Sequence, residues 1–406
     1  MKILYLSQHF PPEIGAAQGR AYDMAKNLVK EGHEVTVLTT FPNHEKNRSL
    51  FKKETKEGIE VRRSFRFQDT KKSSKARLAN YFSFMFSSII SGLFVRKTDA
   101  VYASSPHLFT AASGYVLSRL LRKPFILEVR DLWVDFAKIL SQFSNPLLLK
   151  WARKLENFLY QKADHIITVT HGYKEHLIKQ GVDGRKINVV TNGVDIEDIQ
   201  SAASEEKEEI RKKHELGNDL VVLYAGNMGA AQGLDVVLDA ANLLGPEAGV
   251  TFCFIGEGVE KDPLKAKADF EHIPNLLFLD SMNKEELMPY YQAADLCLVT
   301  LKNHPLFHIT IPSKVFDCMA AGKPVLIGVG GEATDIVLEN EAGIAFEPGN
   351  AEELAEAVNK AVKNREWIKE LESNVTEVVK QKYNRRTLAR KLSSILKNVV
   401  KDEKND

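Results

Sequence analysis

Short apolar runs alternate with helix-length amphipathic segments along most of this chain, and this alternation constrains the fold more than any other feature. In the first half, six such runs are separated mostly by stretches long enough for a helix. The spacing predicts strand-helix-strand units and therefore a parallel sheet. The six runs read KILYLS, EVTVLTT, GIEVRR, DAVYAS, PFILEV and HIITVT.

The alternation begins again after the charged stretch SEEKEEIRKKHE, which predicts a second open sheet. A chain of 406 residues is also too long for one ordinary core. We therefore predict an α/β protein of two facing Rossmann-like domains, 1–195 and 196–380, followed by a helix and a polar tail at 381–406. Ligands of doubly wound sheets collect at the carboxyl ends of the strands, so we expect a site in an interdomain cleft. The second set of runs reads LVVLYAG, VTFCFIGEG, NLLFLD, DLCLVT, KPVLIGV and GIAFEP.

The net charge of +1 hides a split between the halves. Residues 1–195 hold 31 Lys and Arg against 18 Asp and Glu, a net charge of +13, and the remainder holds 24 against 36, a net charge of −12. A difference this large predicts an anionic partner for the first half, and we expect no nucleic acid. Cys253, Cys297 and Cys318 have no CxxC spacing and are expected to be buried thiols. The N-terminus has no signal-peptide pattern, so we expect a cytoplasmic location.

Loops of small residues follow three of the predicted strands. SQHFPPEIGAAQGR follows the first run, and NMGAAQG and the loop containing EGVEK follow two runs of the second set. A side-chain-free loop that opens a helix offers N–H groups to a phosphate, although each loop alone is equally well explained as a tight turn. Three of them together predict a nucleoside diphosphate ligand. The candidate residues are Gly15, Ala16, Asn227, Gln232, Gly233, Gly256 and Gly258.

Charged side chains follow the run PFILEV, where RDLWVD places Arg130, Asp131 and Asp135 at a strand end. Such a pair is most often a structural ion pair, but at the mouth of a site it can orient a hydroxyl or a phosphate.

A second charged group lies in PSKVFDCMAAG, which predicts a short helix ending at Gly322. Lys314 and Asp317 are three residues apart and share a face of this helix, with Ser313 beside them. A surface ion pair is the plain explanation. In the functional interpretation, Lys314 neutralises a phosphate and Asp317 accepts ribose hydroxyls.

Residues 71–97 place a basic cluster before an apolar helix, KKSSKARLANYFSFMFSSIISGLFVRK. Ser, Asn and Gly interrupt the apolar run, which favours a core helix of the first domain. The alternative is a helix that lies on an anionic bilayer surface.

The segments FPPEIGAAQGRAYDMAKNLVKEGHEVTVLT, VVTNGVD, LYAGNMGAAQGLDVVLDAA, FIGEG and PSKVFDCMAAGKPVL occur in an order that resembles retaining glycosyltransferases of family 4 with the GT-B fold. The resemblance spans nearly the whole chain and is strongest to bacterial transferases of N-acetylated amino sugars, such as L-fucosamine, in O-antigen or capsule synthesis. It implies a UDP-sugar donor, its diphosphate near Gly15, held mainly by the second domain without metal or cofactor. It also implies a polyprenyl-diphosphate-linked acceptor on the first domain, a peripheral position on the inner face of the cell membrane, and a C-terminal helix that returns to the first domain.

This chain departs from the family pattern at several positions. Many members have two glutamates where this chain has Ile309 and Asp317, and an arginine and a lysine where it has Asn227 and Gln232. Our hypothesis is that Lys314 supplies the missing diphosphate charge.

Two arginines, Arg20 and Arg130, are expected to help Lys314. Asp131 is the preferred acceptor-side residue, so the predicted catalytic set is Asp131, Lys314 and Arg130. The histidines that follow first-domain strands, His9, His107 and His171, rank below Asp131. The alternatives are a sugar-nucleotide 2-epimerase of similar architecture and a non-catalytic protein that binds a sugar nucleotide.

Overall fold

The computed structural model describes residues 1–13, 16–42, 49–67, 74–95, 97–105, 107–139, 145–194 and 204–405. It divides the chain into two compact units, which we call unit 1 (residues 1–192 and 385–406) and unit 2 (residues 193–384). The sequence-based boundaries at 195 and 380 fall a few residues from these.

Unit 1 is an eight-stranded sheet with the strand order β3-β4-β2-β1-β5-β6-β7-β8, parallel except where β3 pairs with β4. All six runs predicted for this half form strands. The two that were missed are a polar, mostly exposed edge strand (β3) and a strand of three residues (β8). The strands are β1 (Lys2–Leu6), β2 (Glu34–Thr40), β3 (Phe51–Lys56), β4 (Ile59–Ser64), β5 (Ala100–Ser104), β6 (Phe125–Val129), β7 (His165–Thr168) and β8 (Ile187–Val189). The helices are α1 (Ala16–Lys30), α2 (Ser74–Leu93), α3 (Leu108–Leu121), α4 (Trp133–Ile139), α5 (Pro146–Lys162), α6 (His171–Lys179) and α16 (Arg385–Asn405), with a 3-10 turn at Gly184–Lys186.

Unit 2 is a fully parallel six-stranded sheet with the strand order β11-β10-β9-β12-β13-β14, and all six predicted runs form it. The strand order reverses between β9 and β12, and in unit 1 it reverses between β1 and β5. Ligands of such sheets bind outside the carboxyl ends of the strands at these reversals. The strands are β9 (Leu220–Ala225), β10 (Val250–Ile255), β11 (Leu276–Leu279), β12 (Leu296–Thr300), β13 (Val325–Gly328) and β14 (Gly343–Ala345). The helices are α7 (Ser204–Lys213), α8 (Asp235–Leu244), α9 (Lys261–Phe270), α10 (Lys284–Ala293), α11 (Pro305–His308), α12 (Ser313–Ala320), α13 (Glu332–Glu339), α14 (Ala351–Lys363) and α15 (Arg365–Lys382).

The helix α16 follows unit 2 in sequence but packs against α1 in the core of unit 1. Its buried stripe is formed by Leu388, Ala389, Leu392 and Leu396, and His33 hydrogen-bonds to Ser393 at 2.6 Å. With this helix, unit 1 holds 38 Lys and Arg against 20 Asp and Glu, a net charge of +18. Unit 2 holds 17 against 34, a net charge of −17, so the units are more strongly polarised than the sequence halves.

The helix α2 has two different apolar faces. On one face Ser88 and Gly92 lie against α3, and a Cβ atom on Gly92 would come within 2.6 Å of Leu117. The other face carries an exposed series at helical spacing, which we call the α2 stripe: Phe82, Phe86, Ile90 and Leu93 are 43–60% exposed. The buried face agrees with the core-helix interpretation, and the bilayer-surface interpretation stays a prediction for the exposed face. Residues 71–73 and 96 of the predicted segment lie outside the described residues.

Within the part of the chain that the structure describes, none of the helices has the length and apolar character needed to cross a bilayer. The three cysteines are buried free thiols, as predicted.

Candidate active site

Lys314 lies in the first turn of α12, and its side chain crosses the end of β9. Its Nζ donates to Tyr224 Oη at 2.5 Å and to Gln232 Oε1 at 3.0 Å, and it lies 4.1 Å from the centre of the Tyr224 ring. Both partners are neutral, so they hold the ammonium group without cancelling its charge. Burial lowers the pKa of Lys314 from 10.5 to about 8, against the opposite effects of Cys318 and Asp317.

Tyr224 and Gly226 form the floor under this lysine. Tyr224 is fully buried, and its hydroxyl donates to the carbonyl of Asn227 at 2.6 Å while it accepts from Lys314. A Cβ atom on Gly226 would lie 2.7 Å from Lys314 Cε, and the φ of +132° also favours glycine there. We call Tyr224, Gly226 and Gln232 the lysine cradle.

Three predicted residues, Asn227, Gln232 and Gly233, lie in the loop after β9, at or beside the lysine cradle. Gln232 contacts Lys314 directly, whereas the Asn227 side chain is exposed. Gly233 has a φ of +61° and lies against the Lys302 backbone, which explains the glycine by turn geometry. These residues lie at or beside one cradle, and their role in donor binding stays a prediction.

Gly256 and Gly258, after β10, have a structural reason to be glycine. Cβ atoms there would lie 2.0 Å from the carbonyl oxygen of Gly226 and 2.2 Å from that of Met228. The amides of Gly226 and Met228 donate across the same contact, each at 2.8 Å. Loop packing thus accounts for both glycines, and these two amides are already bonded. The inference from small residues to a phosphate cradle is weakened at these positions.

The first turn of α12 contributes further positive charge beside the Lys314 ammonium group. Ser313 and Lys314 are its first two residues, and helix N-termini leave N–H groups without intrahelical acceptors. The helix dipole and the Lys314 ammonium group therefore favour an anion at the same place. Asp317 is exposed on the following turn, where the predicted contact with a ribose would require it.

Arg20 belongs to the core of unit 1 and does not fit its predicted role at the donor diphosphate. Its side chain is buried and donates to Glu128 Oε1 at 2.8 and 3.0 Å and to the carbonyls of Val190 and Thr191 at 3.0 and 2.8 Å. Glu128 is itself fully buried and also accepts from Ser104 at 2.6 Å. This guanidinium group ties β6 to the end of β8 and uses four of its five N–H donors within unit 1.

Arg130 and Asp131 lie together at the carboxyl end of β6. Arg130 Nη1 donates to the carbonyl of Ala17 at 3.1 Å, which brings this cation to the first turn of α1. Burial raises the pKa of Asp131 from 3.8 to about 6, and the neighbouring Arg130 opposes the shift. The Ala16 side chain and the whole of Gly15 lie outside the described residues.

Asp135, the second acid of RDLWVD, is a structural residue. It accepts from Arg153 at 2.5 Å, and the same arginine donates to Glu156 at 2.7 Å. Glu156 is buried and also accepts from the Val134 amide at 3.5 Å. This network holds α4 against α5 and supports the turn that carries Asp131.

Of the three histidines ranked below Asp131, His9 and His107 form a pair that the sequence did not reveal. The Nε2 atoms of His9 and His107 are 2.8 Å apart, and Nδ1 of His9 lies 3.4 Å from Glu13, which also contacts Arg66 at 3.3 Å. Burial lowers the pKa of His107 to about 3, and the charges of His9 and Arg66 act in the same direction. The chain His107-His9-Glu13-Arg66 spans the ends of β1, β4 and β5. One signal was available: β1 and β5 were the expected neighbours of a doubly wound sheet. His171 begins α6 and is not part of this group.

Among the described residues, no group of three or more His, Cys, Asp or Glu is placed to hold a metal ion. The expectation of metal-independent chemistry stays a prediction.

Two family models match the chain: Glycosyltransferase Family 4 over residues 17–198, and Glycosyl transferases group 1 over residues 206–382. The chain is similar to the putative colanic acid biosynthesis glycosyl transferase WcaI of Escherichia coli K12, at 26% identity over 379 residues, 89% of this chain and 92% of the relative. It is 26% identical over 270 residues to the probable glycosyltransferase WbjE of Pseudomonas aeruginosa, covering 65% and 66% of the two chains. The crystal structure of Anabaena HepE in complex with UDP matches with a TM-score of 0.74 at 20% identity, covering 98% of this chain and 100% of that one. These matches confirm the predicted fold class.

Proposed function

Since this chain is a glycosyltransferase of the GT-B fold, with a Glycosyltransferase Family 4 domain before a Glycosyl transferases group 1 domain, we propose that it is a retaining enzyme of bacterial surface polysaccharide synthesis. Its donor is a UDP-linked N-acetylated amino sugar of the L-fucosamine type. Its acceptor is a polyprenyl-diphosphate-linked saccharide of O-antigen or capsule assembly. The relatives named for colanic acid and amylovoran biosynthesis support the pathway class, and the motif resemblance supports the amino sugar.

The observation that carries the donor proposal is the placement of Lys314. A half-buried ammonium group with two neutral partners lies at the carboxyl end of β9 and at the N-terminus of α12. A diphosphate there gains charge stabilisation that a surface lysine could not supply, because the effective dielectric constant is lower. The UDP complex of HepE supports the same donor class.

The proposed reaction depends on charge stabilisation and needs no metal or cofactor. The bond between the anomeric carbon and the diphosphate oxygen breaks, and Lys314 with the α12 N-terminus stabilises the charge on the departing UDP. The acceptor hydroxyl attacks the same face of the sugar, and its proton passes to the departing phosphate. Asp131 orients the acceptor hydroxyl. The His107-His9-Glu13-Arg66 chain offers further polar contacts to the acceptor on unit 1.

The lipid-linked acceptor meets the enzyme at a membrane surface in this proposal. The α2 stripe and a second exposed series on α5, Leu147, Trp151 and Phe158, supply apolar area on unit 1. The charge of +18 on the same unit supplies attraction to anionic lipid. These features support a peripheral position on the inner face of the cell membrane.

A panel of UDP-sugars incubated with short lipid-linked saccharides tests the function. We expect UDP release that depends on acceptor and a product with the anomeric configuration of the donor. An epimerised UDP-sugar without acceptor would favour the epimerase alternative, and binding without turnover would favour a non-catalytic protein.

The role of Lys314 is tested by removing its positive charge and then placing a lysine at position 232. Lys314→Ala should weaken UDP binding about tenfold or more, since a hydrogen bond to a charged group is lost. Adding Gln232→Lys, whose side chain starts beside the same space, should restore part of that affinity. Normal turnover and donor affinity in Lys314→Ala would contradict the assignment.

A further inference from the structure

Tyr224 brings a hydroxyl to the lysine cradle, and this hydroxyl both donates and accepts a hydrogen bond. It lies near the carboxyl end of an apolar strand, fully buried, where a phenylalanine would fill the same core space. Its hydroxyl nevertheless stands between the Asn227 carbonyl at 2.6 Å and Lys314 Nζ at 2.5 Å. Core packing alone does not explain a hydroxyl at this place.

We propose that Tyr224 is a positioning residue for donor binding, which holds Lys314 over Gly226 and keeps its charge available for the diphosphate. The inference rests on the proposed function of Lys314. The tyrosine hydroxyl donates to the Asn227 carbonyl at 2.6 Å, a shorter contact than the 3.2 Å to Gln232 Oε1, which also accepts from Lys314, so that a lone pair of the hydroxyl faces the ammonium group. Nζ lies 4.1 Å from the ring centre, on the hydroxyl side of the ring, so the bond to the hydroxyl oxygen is the contact that holds the ammonium group, and it does so without a countercharge.

Other residues at position 224 would fail for opposite reasons. A carboxylate would cancel the charge that the donor requires. An aliphatic side chain or phenylalanine would leave the half-buried ammonium group with Gln232 as its remaining acceptor, which disfavours the charged form. Tyrosine provides an acceptor while it stays neutral, because burial raises its own pKa.

The test is Tyr224→Phe, with UDP as the probe and calorimetry across a pH series. We expect UDP binding about tenfold weaker near neutral pH, the usual scale for a lost hydrogen bond to a charged group. The loss of binding that wild type shows as the pH rises through about 8 should move to lower pH, since the charged form of Lys314 is less favoured. The other titratable groups that act on Lys314, Asp317 and Cys318, are unchanged in this variant.

A double mutant separates positioning from a merely structural role. If Tyr224 acts through Lys314, then Tyr224→Phe should cost little further UDP affinity in a Lys314→Ala background. Additive losses, or wild-type affinity and pH profile in Tyr224→Phe, would overturn the inference while leaving the Lys314 assignment intact. Unchanged binding in Lys314→Ala would overturn both, and melting curves with and without UDP confirm that each variant is folded.

Discussion

Arg20 and Lys314 show how the hydrogen-bond partners of a cation determine whether its charge is neutralised within the protein. Arg20 faces a fully buried carboxylate and two carbonyls, and losing one member of such a pair typically costs about 3–5 kcal/mol of folding free energy. Lys314 faces a phenol and an amide, so its charge is held but not neutralised. The sequence made both candidates because each cation lies near the start of a predicted helix. It could not separate them, since the partner of Arg20, Glu128, lies 108 residues away.

Asp131→Asn should raise the free energy of unfolding near pH 7.5 while it lowers turnover. The pKa of Asp131 is raised from 3.8 to about 6 by burial, so the folded state binds this proton more tightly than the unfolded chain. Stability therefore falls as the pH rises from about 4 through about 6, and the amide avoids that loss. We expect a gain on the order of 1 kcal/mol at pH 7.5, shrinking toward pH 5, in chemical denaturation.

Asp135→Asn is the matched control. It removes the negative charge that Arg153 faces and should destabilise the protein at pH 7.5, the opposite sign. Wild-type turnover should rise with pH through about 6. If Asp131→Asn kept that turnover, Asp131 would be removed from the acceptor site.

Tyr224 was missed by sequence reasoning because a tyrosine inside LVVLYAG is typical of a core strand. Its role depends on a lysine that is 90 positions away in the chain. The sequence offered candidates that stand beside strand ends or helix starts, such as Asp131 and Lys314, whose roles stay predictions, and it was silent where two distant segments share one contact.

At the scale of elements, the strands were predictable because a strand buried on both faces requires a nearly continuous run of apolar residues. The edge strand β3 was not, since FKKETK is mostly exposed and its pairing with β4 is decided by the backbone. The glycine-rich loops were located correctly, but Gly256 and Gly258 are needed for packing between loops. Local sequence gives the position of a loop without the reason for its composition.

The double substitution Phe86→Ser and Ile90→Ser in the α2 stripe should weaken binding to anionic vesicles about tenfold. Both side chains are about half exposed, so their replacement removes apolar area that would enter the bilayer interface with little loss of folding energy. Co-sedimentation with phosphatidylglycerol vesicles measures the change, and added salt should weaken wild-type binding further.

Leu338→Ser in unit 2 is the control for that measurement. Leu338 is 50% exposed but belongs to the acidic unit, so its removal should leave vesicle binding unchanged. Equal losses in the two variants would contradict a specific surface on unit 1, and so would wild-type binding in the double variant.

At the scale of the whole molecule, unit 2 is inserted between two segments of unit 1. The two chain crossings are adjacent, because Val194 pairs with Asn384 and its amide donates to the Tyr383 carbonyl at 2.9 Å. Sequence periodicity revealed the helix at 381–406, but its destination came from the family resemblance. An apolar stripe shows that a helix is buried without showing against which partner.

Leu392→Ala in α16 should lower the free energy of unfolding of unit 1. Leu392 is fully buried in the core of unit 1, and such truncations cost about 2–5 kcal/mol. Hydrogen exchange should quicken in β1 and β2 and stay slow in β9 and β10. The matched variant Val375→Ala, fully buried in unit 2, should show the reverse pattern. Faster exchange in unit 2 alone for Leu392→Ala would contradict this assignment of the helix.

The nested connection also sets an order of assembly during synthesis. The ribosome makes residues 193–384 before it makes α16, so unit 2 has all of its strands and helices while unit 1 still lacks a helix of its core. Until that helix emerges, the surface of α1 that receives Leu388, Leu392 and Leu396 is open to solvent or to a chaperone. The half of the protein translated first is therefore the half that matures second.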